Sequence, residues 1–287
     1  MEADPSATAL ASLGDLVEDV VVRLDGPIQH GADTLATITT RRGGSAANVA
    51  VRAAQLGACS RFLGRVGTDA IGTALIDELS AEGVDMSAVQ RGGSTGTIVA
   101  LVDPDGERSM LTDRRACVDL TSPDPVWLDG VDILHVPFYS LVLAPLADSA
   151  RTLIEWSHDR GIAISIDASS ASLIEQFGVD RTLALLRRLA PDVLLANEDE
   201  GRVLRLHSTL DHALTVIKRG PRPALLHLPD GTGVEVPAIA VERIVDTTGA
   251  GDAFAAGFLA HPAGAVADPI GACGAGHASA AQLLGSR

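Results

Sequence analysis

Aromatic side chains make up only 3% of this 287-residue chain, too few for the stacking platforms on which single-strand nucleic-acid binders lay successive bases. Positive charge is also short: 22 Lys and Arg stand against 37 Asp and Glu, a formal net charge of -15. That balance opposes nucleic acid and anionic membranes over most of the surface, while leaving room for a local basic pocket. Cysteine is limited to Cys59, Cys117 and Cys273, too far apart in sequence to write a local metal or redox pair, and a reducing compartment is expected. No apolar run is long enough to span a bilayer, and Met1–Ala9, carrying Glu2 and Asp4, is not the basic opening of an export signal. The expectation is a soluble cytoplasmic protein that engages neither nucleic acid nor membrane. Two nucleotide signatures are missing as well: a full GxGxxG at the first strand, and GxxxxGK followed by Ser or Thr. Their absence weakens hydride-transfer and P-loop readings without excluding nucleotides.

What is present is a folded α/β pattern, with 46% hydrophobic residues and 29 dispersed glycines. The length admits two modest domains or one large one. Neither a repeat nor a linker divides the chain, so one domain over 1–287 is expected. Residues 1–9 read as a loose end. Leu10 to Leu24 reads as two strands separated by a polar corner, and Thr-rich 33–40 suits an exposed strand. A helix over 46–56, a strand over 59–66 and a helix from 71 to a stop at Gly83 come next. Asp103-Pro-Asp-Gly106 marks a hairpin within 95–111. With residues 20–40 it forms either a lid, over about 20–40 and 94–113, or surface decoration. Beyond Pro125 the rhythm is β-α: strands over 131–136, 162–167, 193–196, 214–217 and 225–228, and helices over 142–159, 181–189, 250–260 and 269–284. His135, Asp167 and Asn197 stand at or beside three strand ends, the edge at which open parallel sheets bind ligands.

The sharpest local signal is Asp246-Thr-Thr-Gly-Ala-Gly-Asp252 before an apolar helix. Small residues at Gly249, Ala250 and Gly251 let consecutive amides converge on an anion at a helix N-terminus. Asp252 then lies in the first helical turn. There it serves either as a cap favoured by the helix dipole or as a general base toward an attacking alcohol.

Two motifs, DTTGAGDAFAAGF at 246–258 and GGSAANVAVRAAQLGA at 43–58, give the chain from about Leu10 onward a resemblance to the ribokinase-like, or PfkB-type, carbohydrate and nucleoside kinases. The resemblance implies a three-layer α/β/α core with a small β-sheet lid, transfer of the terminal phosphate of ATP, and Mg2+ dependence. It also implies a pair of copies joined through the lid. Position by position, Asp252 is similar to the family's general base and Gly249, Ala250 and Gly251 to its anion hole. Asp19 resembles the acid that binds substrate hydroxyls, and Gly43, Gly44 and Asn48 resemble substrate contacts. Asn197 and Glu200 resemble an NxxE element in which Glu200 holds Mg2+ mainly through water. Asp246 and Thr248 fall where relatives build a monovalent-cation site, which raises K+ as a further cofactor.

Departures from the family pattern set further expectations. Lys218, ahead of Gly220, stands where relatives carry Thr beside the nucleotide, and it either meets a phosphate or projects into solvent. His277 occupies the adenine side, where it stacks on a base, makes an edge hydrogen bond to it, or sits plainly at the surface. Arg108 reaches from the lid to an anionic or hydroxylated acceptor, or makes a lid ion pair. His135 sits beside Phe138 and Tyr139 as a grip on one face of a sugar or base. The expected activity is phosphorylation of a hydroxyl on a sugar or related polyol, with Asp252 as base. A nucleoside, or a 2-keto-3-deoxy sugar acid contacted by Arg108, is an alternative acceptor. A non-catalytic sugar or nucleotide sensor is the alternative class, favoured by Lys218, His277 and a carboxyl end that stops earlier than in many relatives.

Overall fold

The computed structural model describes residues 7–211, 213–242, 244 and 246–286, so most of the expected loose start lies outside the described residues. The chain runs β1 (Ala9–Leu13), β2 (Val17–Leu24), β3 (Ala36–Gly43), α1 (Ser45–Gln55), β4 (Cys59–Val66), α2 (Ala70–Ala81) and a short β5 (Val89–Arg91). The hairpin β6 (Thr97–Val102) and β7 (Arg108–Asp113) comes after them. Next are β8 (Ile133–Pro137), α3 (Leu146–Arg160), β9 (Ala163–Asp167), α4 (Ala171–Phe177), α5 (Val179–Leu189), β10 (Val193–Asn197) and α6 (Glu198–Val203). The chain closes with β11 (Leu214–Lys218), β12 (Ala224–His227), β13 (Gly233–Val236), α7 (Ala250–Leu259) and α8 (Pro269–Gly285).

Two sheets form. The larger has the order β13-β12-β11-β10-β9-β8-β1-β4-β5, parallel from β11 to β5 and antiparallel at β12 and β13. Its strands alternate between two buried faces, as a sheet covered on both sides requires. Ala11, Leu134, Val136, Ile164, Ile166, Leu194 and Ala196 pack with α3 and α5 on one side. Leu10, Ile133, Val193, Leu195, Leu214 and Val216 pack with α1, α7 and α8 on the other. The result is the expected three-layer α/β/α core. From β1 the chain moves to β4 on one side and later to β8 on the other. The strand order therefore reverses at β1, where such sheets open a crevice beyond their carboxyl ends.

The smaller sheet, β3-β2-β6-β7, is the lid. Its outer strands are mostly exposed, with Ile38, Met110 and Leu111 each more than half accessible. At its base Arg114 grips Asp15 with two hydrogen bonds, Nε to Oδ2 at 2.7 Å and Nη2 to Oδ1 at 2.6 Å. The polar corner between β1 and β2 is thus buried at Asp15: both side chains are 11% exposed. Removing one member of such a pair strands the other charge, so Arg114→Ala is expected to cost about 3–5 kcal/mol of stability. Urea unfolding checks this, and a change below about 1 kcal/mol, the worth of a surface pair, contradicts it.

Four elements escape the sequence pattern, among them the six-residue α6. β5 and β13 are very short edge strands, and α4 is a brief helix capped by the Ser170 side chain. The third helix begins at Leu146 rather than Val142, because Phe138–Leu141 forms a 3-10 turn and Pro145 takes the cap position.

Candidate active site

Asp252 and Asp19 lie 233 positions apart in sequence, yet both line one cavity of about 250 Å³ between α1, the lid and the start of α7. α7 starts where it does because Gly249 adopts a left-handed turn, φ 79°, that an L side chain resists. The turn closes with the Ala250 N–H donating to the Thr247 carbonyl at 3.1 Å. The Ala250 amide, one of the three expected in the anion hole, is thus engaged within the turn. The amides of Gly251 and Asp252 belong to the first turn, which has no carbonyl four residues back and carries no side-chain cap here.

Asp252 accepts two hydrogen bonds from the second motif. Ser45 Oγ donates to Oδ1 at 2.7 Å and Asn48 Nδ2 donates to Oδ2 at 2.9 Å. Burial raises the Asp252 carboxyl above its ordinary range, and these two bonds only partly oppose the rise. Asp19 is raised too, by burial against the opposing pull of Arg41.

The glycine pair serves the chain's own packing. A Cβ on Gly43 would stand 2.1 Å from Asp19 Oδ1, and one on Gly44, at φ 103°, 2.1 Å from the Asp15 carbonyl. Neither glycine lines the cavity. What they bring to it is the Asp19 carboxylate, laid against bare backbone.

A second group gathers behind Gly251. Alternation along β11 turns Lys218 to the same face as Leu214 and Val216, toward α7. Its Nζ donates to Asp167 Oδ2 at 2.5 Å and lies 3.6 Å from where a Gly251 Cβ would stand. Burial disfavours this ammonium, but Asp167, Glu200 and Asp252 together outweigh it and raise its pKa, so it is charged at neutral pH. Lys218 therefore does not project into solvent: its side chain is 14% exposed.

Glu200, 2% exposed, forms a capping box with Asn197 at the start of α6. Its Oε2 accepts from the Asn197 amide at 2.7 Å and its Oε1 from Asn197 Nδ2 at 2.7 Å. Burial, with Asp167 nearby, pushes it up to about 7. Gly220, at φ 60°, makes the exposed turn after β11.

Several expected residues stand elsewhere. His135 is fully buried inside the sheet, its Nδ1 3.1 Å from Ser165 Oγ, and burial lowers it to about 4. It cannot grip a ligand from there. His277 is buried between α7 and α8, its Nε2–H donating to the Val236 carbonyl at 3.2 Å and its ring edge-on to Phe254. That ring is occupied by the protein itself, so neither base stacking nor a plain surface position describes it.

Arg108 extends from the lid to the loop before α7, donating to Thr248 Oγ1 at 2.7 Å and Asp246 Oδ1 at 3.0 Å. Arg41 approaches Asp246 Oδ2 at 3.4 Å. Asp246 is held well below the usual carboxylate range: burial opposes this, and hydrogen bonds from Thr248 and Arg108 prevail. At the expected monovalent-cation position, the cationic groups are thus two lid guanidiniums. Ser45, Arg41 and Arg52 also line or brace the site; Ser45 and Arg52 lie within the 43–58 motif and Arg41 just ahead of it.

Residues 7–287 match the model of the pfkB family of carbohydrate kinases. An ATP-dependent ribose-1-phosphate kinase of Halopiger xanaduensis is 32% identical over 87% of this chain and 83% of its own. A fructokinase of Escherichia coli is 31% identical over 86% and 82%. Among solved structures, an uncharacterized sugar kinase of Pyrococcus horikoshii in complex with ATP superimposes with a TM-score of 0.82 at 25% identity, covering 97% of this chain and 93% of the other. No helix among the described residues is long and apolar enough to cross a membrane. With its motifs, its lidded three-layer fold and these likenesses in agreement, the chain belongs to the pfkB family of carbohydrate kinases.

Proposed function

We propose that the protein is an ATP-dependent kinase that phosphorylates a hydroxyl of a small sugar or related polyol. The observation that carries this reading is the single cavity shared by Asp19, Asn48, Asp252 and the start of α7. Asp19 accepts acceptor hydroxyls, and Asp252 takes the proton of the hydroxyl that attacks. Asn48 and Ser45 aim that carboxylate through their bonds to its two oxygens. The amides of Gly249, Gly251 and Asp252 hold oxygens of the phosphoryl group in flight, where charge moves among them. Lys218, charged beside Gly251, neutralises donor phosphate.

Two relatives support the chemistry by name, one as an ATP-dependent ribose-1-phosphate kinase and one as a fructokinase. Among the described residues, those lining the cavity include no aromatic ring, which favours a sugar over a nucleobase. No cluster of three metal-ligating side chains gathers among the described residues. Magnesium usually keeps several waters and is bound chiefly through substrate phosphates, so Glu200 would hold it mainly through water. When bound, the ion would offset phosphate charge. Arg41 and Arg108 hold the lid down over the loop before α7, limiting water at the reacting phosphoryl group. A pair of copies meeting through the exposed lid face belongs to the same reading.

Acceptor-dependent ADP release tests it. A kinase gives ADP only when a sugar hydroxyl is supplied, whereas saturable sugar or ATP binding without turnover contradicts the reading and favours a sensor.

A further inference from the structure

Family resemblance puts a monovalent-cation site at Asp246 and Thr248, but the chain's own charge takes that place. Asp246 Oδ1 accepts from the Thr248 N–H at 2.9 Å, from Thr248 Oγ1 at 2.6 Å and from Arg108 Nη2 at 3.0 Å. Its Oδ2 faces Arg41 Nη1 at 3.4 Å. Thr248 Oγ1 also accepts from Arg108 Nη1 at 2.7 Å. A monovalent ion is held by oxygen lone pairs that replace its water, and here guanidinium N–H groups face those oxygens. Charge gives the same answer. Arg41 also lies 3.8 Å from Asp19, so the carboxylates of Asp19 and Asp246 already stand against two guanidiniums. An ion added at Asp246, whose side chain is only 16% exposed, would meet Arg108 as a like charge. The residues present do not fit K+.

A well-tied piece of the lid presents Arg108 to that loop. Arg108 is the first residue of β7 and pairs with Val102 across the hairpin. Between them Asp103 Oδ1 accepts from the Asp105 and Glu107 amides at 3.0 and 2.9 Å, and Gly106 turns the chain at φ 87°. What Arg108 meets is a turn of the same kind, in which the Asp246 side chain accepts from the N–H two residues on. Thr248 ends that turn and directly precedes Gly249, whose left-handed conformation starts α7 and sets the direction of the Gly251 and Asp252 amides. With one N–H on Thr248 Oγ1 and another on Asp246 Oδ1, the planar guanidinium fixes both ends of the turn at once.

We propose that Arg108 is a built-in cation standing in place of a monovalent ion: from the lid it holds the Asp246–Thr248 turn, and so aims the Gly251 and Asp252 amides, and phosphoryl transfer in this chain needs no K+. Its part as a positioning residue rests on the kinase reading above; the exclusion of the ion does not. A guanidinium carried by the lid differs from a diffusible ion in one respect. It reaches the turn only while the lid lies over the cavity, so closure completes the anion hole and an open lid leaves it unbraced.

The test replaces tetramethylammonium chloride stepwise with KCl at constant ionic strength and reads both thermal unfolding and ADP release, with D-ribose, D-ribose 1-phosphate or D-fructose as acceptor. Neither the melting temperature nor kcat of the wild type should rise saturably with K+. A saturable rise in either is the mass-action signature of a bound ion and overturns the proposal, leaving the kinase reading standing. Arg108→Ala is expected to lower kcat about 30-fold with KM for the acceptor little changed, because the residue orients the loop and does not touch the acceptor. Uncovering Asp246 should make that variant's kcat and melting temperature rise with K+, and Arg108→Lys, a cation without the fork, should recover part of the loss. A rise in KM with kcat intact would make Arg108 an acceptor contact and overturn the proposal, as would an Arg108→Ala variant blind to K+. No acceptor-dependent ADP from any of these compounds overturns the positioning role together with the kinase reading, while the melting curves still decide whether Arg108 excludes the ion. Where Arg108→Ala fails to fold, the wild-type titration decides.

Discussion

Replacing Asp252 with Asn is expected to lower kcat about 10³-fold while leaving the protein folded, the loss that removal of a positioned general base entails. An asparagine oxygen still accepts from Ser45, and the Asn48 amide can turn to present its own oxygen, so the local bonding survives. Stability should not fall. Folding raises the Asp252 pKa, so this group's stabilising contribution is complete below the unfolded value of 3.8 and is lost as pH rises through the higher folded value. At neutral pH the neutral amide escapes that loss, and thermal unfolding should place the variant's melting temperature at or above the wild type. The same shift predicts the acid limb of kcat/KM. Catalysis requires the ionised base, so the rate falls as pH drops through a pKa above 3.8. Glu200, pushed up to about 7, is the other raised carboxyl behind the site; the limb that persists in Glu200→Gln belongs to Asp252. Turnover by Asp252→Asn close to the wild-type rate removes this residue from the chemistry.

The second large effect is expected at Lys218. Lys218→Met takes a charge from beside Gly251 and should lower kcat/KM for ATP about 10²-fold, the range seen when one donor to a developing anion is lost. It also leaves Asp167, only 10% exposed on its side chain, without its partner. That should cost about 3–5 kcal/mol in urea unfolding. The double variant Lys218→Met with Asp167→Asn separates the two consequences. It should regain most of the stability and none of the rate. Recovery of the rate along with the stability would assign Lys218 a purely structural part.

Much of this site is legible in sequence because its parts are local. A left-handed glycine before an apolar helix, an acid in the first turn, and a glycine pair ahead of a second helix each follow from backbone conformation and near-neighbour spacing. The strands carrying Asp167, Asn197 and Lys218 are readable from their continuous apolar runs, since a sheet covered on both faces needs them. What escapes is what only three-dimensional packing decides. His135 and His277 look like ligand contacts beside other polar or small residues, but the sheet interior and the α7–α8 contact enclose them. The glycines at 43 and 44 look made for a ligand's approach, whereas Asp19 and Asp15 make that approach. Arg41 and Arg108 find Asp246 from two different lid strands, a meeting across more than 130 positions that no local spacing announces. Arg52 is an ordinary helix residue in sequence. Packing of α1 against α8 gives it three neutral partners, Gln55, Ser279 and Gln282.

If Asp252 takes a proton from an acceptor hydroxyl as the terminal phosphate of ATP moves to that oxygen, the transfer is visible in a single turnover. The decisive experiment supplies ATP labelled at the γ-phosphate to the wild type and to Asp252→Asn, with acceptor present and absent. Label should reach the acceptor with the wild type only, and little labelled inorganic phosphate should form when acceptor is withheld. Label released as inorganic phosphate at the same rate with or without acceptor, or transferred equally well by the Asn variant, would refute a proton-accepting role for Asp252.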